Sequence, residues 1–387
     1  MYYSGMARGD HIIGRTGMEG RHKAAPADAR RQNRALLLRA LFRAGPMSRA
    51  ALARASGLTP TTVSTVVGEL VEVGMIEEAG RAATGSVGKP GTLVSVVPDA
   101  RHVVCLDLSN NDEIRGAVVN LECKPVTRRC VRRRHRSGQA LSGQRVVELA
   151  VALAAELTVG ADRPLLGVGV ATPGVVDTDG VVTKSAHLGF DHVPLGQLLA
   201  DELGLPVRVA NDAHAAALGE LALNPSASGN LLLVRITEGI GAGIVLNHHL
   251  FTGAAHAAGE IGHVVVDPRG DRCACDNRGC LETVVSVPIA RVRAGGRPDR
   301  AAMVRAGRHL GGALAHLVSG LDLDTVVLSG IDEALGEPFR LAALDTIRSR
   351  TLTDFGQRLQ LRLSDFGDDD ALLGAAVLVL DQELGVN

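Results

Sequence analysis

Residues 259–282 read GEIGHVVVDPRGDRCACDNRGCLE. His263, Cys273, Cys275 and Cys280 supply one imidazole and three thiolates within this stretch. That set suits a tetrahedral structural zinc ion, which takes borderline-soft nitrogen and sulfur donors. Four protein ligands fill the shell, so a catalytic zinc is not expected. Asp267-Pro268 and the glycines at 270 and 279 let the chain fold back on itself. The alternative is a loop with three reduced cysteines. Their crowding into eight residues, in a chain with only six cysteines, favours metal in a reducing compartment. Glu260 and Glu282 flank the set. Carboxylates held by a metal-rigidified loop are placed to accept hydrogen bonds from hydroxyls, but ordinary surface acids have the same spacing.

A chain of 387 residues exceeds what one hydrophobic core usually serves, so more than one domain is expected. At 46% hydrophobic and 21% charged, wholesale disorder is excluded. The longest unbroken apolar stretch, 371–380, is half the roughly 20 residues a membrane span needs. With no secretory signal pattern, a cytoplasmic protein with no membrane partner is expected. Net charge is −1, but it is unevenly spread. Residues 1–98 carry 13 Lys+Arg against 7 Asp+Glu, whereas the remainder carries 28 against 35. A basic front on an acidic body points to a head that faces nucleic acid.

The front has the matching pattern. Residues 1–30 show no sustained period and read as a mobile arm, with Met6 and Met18 as alternative starts. In residues 48–78, Ser48 caps a short helix carrying Ala51, Leu52 and Ala55 inward. Gly57 turns the chain. Thr59 is a good N-cap and Pro60 suits the first helical position. The next helix turns Val63, Val66, Val67 and Leu70 inward, and Thr61, Thr62, Ser64 and Thr65 outward. This is a helix-turn-helix whose second helix would enter a major groove. Residues 81–96 read as two short strands around a basic glycine-rich tip, a wing with Arg81 and Lys89 for phosphates. The winged helix-turn-helix is bounded at 31–98, and Thr59, Thr61, Thr62, Ser64, Thr65, Arg81 and Lys89 are its expected contacts with a double-stranded DNA operator.

From residue 99 buried strands and helices alternate, which argues for an α/β body long enough for two lobes and a cleft. Strands are expected at 231–236 and 325–328, and helices at 146–157, 301–320 and 371–384. Residues 124–136 hold seven basic side chains and read best as a solvated strand rather than a partner patch. Asn211-Asp212 lies at a strand-to-helix junction, where α/β folds place ligand-contacting groups. Asp212 there is either a general base for a sugar hydroxyl or a plain helix cap. TEGIGAG, 237–243, is either a phosphate-cradling turn or an ordinary hairpin.

Together these residues resemble the ROK family of repressors, open reading frames and sugar kinases, over about 31–385. Glu260, Gly262, His263, Cys273, Cys275, Gly279, Cys280, Leu281 and Glu282 match the family's zinc segment in order. NDAHAAALGE, 211–220, is similar to a second family motif, with His214 replacing Asn. TPGVVD, 172–177, looks like the turn beside the sugar. The resemblance implies a two-lobed, actin-like, hexokinase-type body. Lobe one would span about 99–210 plus the C-terminal helix, and lobe two about 211–370. It also implies that Asn211, Asp212, Glu260, His263 and Glu282 bind sugar hydroxyls. Asp212 would be the base in a kinase member, and His263 would serve both zinc and sugar. A homodimer or homotetramer is implied.

The phosphate side departs from the kinase pattern. Asp107-Leu108-Ser109-Asn110-Asn111 lacks both glycines of the first phosphate loop, so β-carbons crowd the phosphate's place. Thr237-Glu238-Gly239 puts a carboxylate where the second loop meets phosphate. Ser329-Gly330 replaces a Gly-Gly pair. On the sugar side, His187 and His214 are departures expected to shift ligand preference. The expected function is therefore a transcriptional repressor responsive to a sugar or sugar phosphate, without catalytic residues. The alternatives are an active sugar kinase with a DNA-binding head, and a regulator that answers a protein partner.

Overall fold

The computed structural model describes residues 26–81, 91–133, 141–237, 239–293, 295–297, 299–330 and 334–386. Lys89 with the wing tip, Glu238, and residues 1–25 of the expected arm lie outside the described residues. The first helix, α1 (Pro26–Ala44), starts five residues before the expected boundary at 31. Residues 28–32 and Arg34 of its opening turns are exposed, so no apolar period shows there, yet Ala, Arg and Gln are good helix formers.

The head continues with β1 (Met47–Ser48), α2 (Arg49–Ser56), α3 (Pro60–Glu72), β2 (Ile76–Arg81) and β3 (Thr92–Val96). Ser48 Oγ accepts from Ala51 N at 3.2 Å. Gly57 takes the left-handed conformation at φ 70° that ends α2. Thr59 Oγ1 accepts from Thr62 N at 3.2 Å to start α3. Leu52, Val63, Val66, Val67 and Leu70 are buried against Leu37, Leu38 and Leu41 of α1. β2 and β3 pair antiparallel as the wing, and β1 completes a three-stranded sheet that sequence reasoning did not anticipate.

The first lobe comprises β4 (His102–Asp107), β5 (Glu113–Asn120), β6 (Pro125–Arg132), α4 (Gly143–Val159), β7 (Leu165–Thr172), β8 (Val175–Val176), β9 (Val182–Ser185), β10 (Phe190–Val193), α5 (Leu195–Leu203) and β11 (Val207–Asn211). Its main sheet runs β11-β7-β4-β5-β6, with β4, β7 and β11 parallel. β4 is buried on both faces: Val104 and Leu106 face the α4 side, while Val103 and Cys105 face the cluster shared with the head. β6 is the exposed basic strand. Its Arg128 pairs with Asp369 and its Arg129 with Glu156.

There follow α6 (Asp212–Leu223), β12 (Leu231–Ile236), β13 (Ile240–Leu246), β14 (His249–Phe251), α7 (Leu281–Arg293), α8 (Arg300–Leu321), β15 (Thr325–Gly330), α9 (Glu337–Arg350), α10 (Thr353–Arg358), β16 (Gln360–Leu363) and α11 (Asp370–Leu384). The second sheet is ordered β14-β13-β12-β15-β16. In β12, Leu232, Val234 and Ile236 face the cluster built on α7, α8 and α9. Leu231 and Leu233 face α6. The period of two puts Arg235 on the α6 side as well. α6 lies between the sheets, packed on α11 as well as on β12 and β13, so it belongs to neither lobe alone. Among the described residues no helix is long and apolar enough to cross a membrane.

Candidate functional site

A cleft of about 380 Å³ opens where β7, β11 and β12 end. Ligands of open α/β sheets bind outside such carboxyl ends. Asn211 caps α6: its Oδ1 accepts from Ala213 N at 2.9 Å and His214 N at 3.1 Å. Its Nδ2 donates to Gly174 O at 2.9 Å. The amide thus ties the Pro173-Gly174 turn to the helix, and both of its ends are committed to the fold. Asp212, the first residue of α6, lines the cleft. Its Oδ2 accepts from Arg235 Nη1 at 2.7 Å.

Glu260, His263 and Glu282 line the opposite wall. Glu260 Oε2 lies 3.8 Å from His263 Nε2. Glu282 Oε2 accepts from Ile240 N at 3.3 Å and lies 3.8 Å from His187 Nε2. Burial, with Asp212 and Glu282 nearby, raises the Glu260 carboxyl above its ordinary value despite the opposing pull of His263. Burial pushes Glu282 the same way, but His187 and His263 outweigh it and hold the carboxyl below its ordinary value. His214 does not line the cleft. It donates from Nε2 to Ala258 O at 2.7 Å, which anchors the loop leading to Glu260.

His263, Cys273, Cys275 and Cys280 gather with one donor atom each, all within 4.8 Å of one another. Cys275 Sγ is 3.6 Å from Cys280 Sγ, and Cys273 Sγ is 3.5 Å from His263 Nδ1. Tetrahedral zinc bonds of about 2.3 Å to sulfur and 2.0 Å to nitrogen place such atoms about 3.5–3.8 Å apart. The donor set therefore fits the ion. Gly279 makes the fold-back possible: at φ 67° its Cα lies against the Asp267 carbonyl, where any β-carbon would collide. With Nδ1 on the donor side, His263 turns Nε2 to the cleft.

Sequence reasoning missed Arg235. It is 3% exposed and bonds three carboxylates. Nη1 donates to Asp212, Nε to Asp370 Oδ1 at 3.1 Å, and Nη2 lies 3.7 Å from Asp107 Oδ2. Arg115 Nη2 donates to Asp107 at 2.6 Å, Ser109 also bonds Asp107, and Ser329 bonds Asp370. The signal was present in LLLVRI, a charged residue inside an otherwise apolar strand.

In the head, Thr59, Thr61, Ser64 and Thr65 are exposed and Thr62 is half-buried. The Thr59 and Thr62 hydroxyls bond each other at 2.9 Å, and Thr65 donates to Thr61 O. β2 ends at Arg81.

The ROK family model matches residues 103–382, and a winged helix-turn-helix DNA-binding model matches residues 30–77. The chain is 26% identical to the xylose repressor of Bacillus subtilis, over 91% of this chain and 96% of the relative. It is 26% identical to the DNA-binding transcriptional repressor Mlc of Escherichia coli, over 89% and 92%. A solved ROK family transcriptional regulator, a homologue of E. coli Mlc, superposes with a TM-score of 0.75 at 25% identity, covering 92% of this chain and 97% of that one. The chain belongs to the ROK family and carries an amino-terminal winged helix-turn-helix.

Proposed function

We propose that the chain is a sugar-responsive transcriptional repressor of carbohydrate-metabolism genes. Residues 26–98 form its DNA-binding unit and residues 99–387 its effector-binding body. The observation that carries this reading is the asymmetry of the cleft. Glu260, Glu282 and His263 converge as hydroxyl partners on one side. On the other, Arg235 lines the cleft and holds Asp212, whose carboxylate faces the same space. Arg235 Nη1 already occupies Asp212 Oδ2 at 2.7 Å, so no phosphoryl transfer is expected. Asn211 supports the sugar site by fixing the turn beside it. A structural zinc ion on His263, Cys273, Cys275 and Cys280 would set the Glu260–Glu282 wall. The likeness to the xylose repressor and Mlc supports the repressor role.

In the head, Thr61 and Ser64 would reach base edges, Thr59, Thr62 and Thr65 would shape the helix start, and Arg81 and Lys89 would meet phosphates. Sugar and operator would bias one equilibrium between arrangements, so sugar lowers DNA affinity by reciprocal linkage. A two-fold operator requires a homodimer or homotetramer.

The test is selection of genomic fragments on the purified protein, with and without D-xylose, D-glucose or N-acetylglucosamine. Specific fragments near sugar-uptake or glycoside-degrading genes, released by one sugar, are expected. Binding that is only non-specific and salt-sensitive would refute the reading. ADP release from ATP with any of these sugars, lost in Asp212→Asn, would establish the kinase instead.

A further inference from the structure

Arg235 bridges the first residues of two helices. Asp212 begins α6 and Asp370 begins α11. The two helices pack closely: Gly374 of α11 lies on the Ala215 carbonyl of α6, where a β-carbon would collide. Behind its ion-paired N-terminus α11 runs 15 residues, about 22 Å at 1.5 Å per residue. Its far end reaches the head. Arg39 of α1 donates from Nη2 to Gly385 O at 3.0 Å, and Gly385 lies against Ala35. Leu372, Ala376, Val377 and Leu380 of α11 share one apolar cluster with Leu37, Leu38 and Leu41 of α1.

The joint at that far end is not fully packed. A crevice of about 640 Å³ lies beside it, lined by Leu38 of α1, Met75 and Leu384 and by the charged Arg34, Arg101 and Glu383. Arg39 Nε is buried with no partner among the described residues. An unsatisfied buried donor at this joint marks a contact that a second arrangement can improve.

We propose that Arg235 and Asp370 are positioning residues that read the occupancy of the cleft, and that α11 carries the reading to the DNA-binding head. Asp212 is the shared group. A sugar hydroxyl that bonds its carboxylate competes with Arg235 Nη1, which shifts the guanidinium toward Asp370 and Asp107. Packed helices move as units rather than bending, so a change at Asp370 is delivered at Gly385. The proposal rests on the sugar-responsive reading above and specifies how that site is coupled. Contiguity alone does not establish coupling, so the measurement has to be of coupling itself.

The experiment uses the full chain, with D-xylose, D-glucose and N-acetylglucosamine tested for binding by calorimetry. For any that binds, hydrogen exchange in α1 and affinity for a selected fragment are measured with and without it. The wild type should show altered exchange in α1 and a change in DNA affinity of roughly 5–150-fold. Arg39→Met, at the far end of α11, should leave sugar affinity unchanged and cut the DNA response to about 2-fold or less. Asp370→Asn should show the same loss as a ratio, whatever its own sugar affinity. If Asp370→Asn does not fold, Arg39→Met decides alone. A full sugar response in both α1 exchange and DNA affinity in Arg39→Met would overturn the α11 route while leaving the sugar-responsive reading intact. If none of the three sugars binds the wild type, that reading fails and the coupling falls with it.

Discussion

The two walls of the cleft are built on opposite plans. One presents Glu260, His263 and Glu282 to open space, and its geometry rests on four metal-type donors behind it. The other is closed on itself: Arg235, Arg115, Ser109 and Ser329 consume the oxygens of Asp107, Asp212 and Asp370. A wall that turns carboxylates toward the cleft can bind a hydroxyl. A wall whose charges are already neutralised admits a further group only by displacing one of its own pairs.

The largest effect expected is from dismantling the open wall. Cys275→Ser, or a chelator, should strip zinc. Metal-binding free energy in such loops is folding free energy, so sugar binding should disappear with it. Elemental analysis and calorimetry on one sample check both. Zinc-free protein that still binds sugar would show that the donor set does not shape this wall.

Next comes the closed wall. Arg235→Ala leaves Asp370 and Asp212 without their cation, and breaking a buried pair from one side costs about 3–5 kcal/mol. Urea unfolding should show that loss. Arg235→Lys should recover only part, since one ammonium cannot span three carboxylates. A smaller effect is expected at Glu260→Ala. Removing a charged hydrogen-bond acceptor should weaken sugar binding by about 1.5–3 kcal/mol, with the urea midpoint little changed. Glu260→Ala that binds sugar like the wild type would remove this side chain from the site.

How legible these walls were in the sequence follows from how each is encoded. The open wall is local: His263, the three cysteines and both glutamates fall within 23 residues, so spacing exposed the metal-type donors, while the part of the two glutamates rested on the family resemblance. The head was legible for the same reason, through Ser48, Gly57, Thr59 and the apolar face of α3. The closed wall is assembled from five distant segments, at 107–115, 212, 235, 329 and 370, and no spacing rule links them. Only the misplaced charge in LLLVRI hinted at it. The early start of α1 was hidden because residues 28–32 are exposed and give no apolar period. Asn211 lines the cleft, yet its amide is committed to the α6 cap and to Gly174 O, a contact that the sequence does not encode locally.

The last prediction separates the two glutamates of the open wall by pH. Burial raises the Glu260 carboxyl, whereas His187 and His263 hold Glu282 down. As pH falls, Glu260 therefore takes its proton first, above the ordinary value of 4.5, while Glu282 is still ionised. A protonated Glu260 exchanges a charge-assisted hydrogen bond for a neutral one of roughly half the strength. Sugar affinity should thus drop a few-fold on acidification, beginning above the ordinary glutamate range, and Glu260→Gln should flatten that step. Zinc content must be measured at each pH, because protonation of the thiolates also releases metal. A step that persists in Glu260→Gln with zinc still bound would assign the titration to another group and make the two glutamates equivalent.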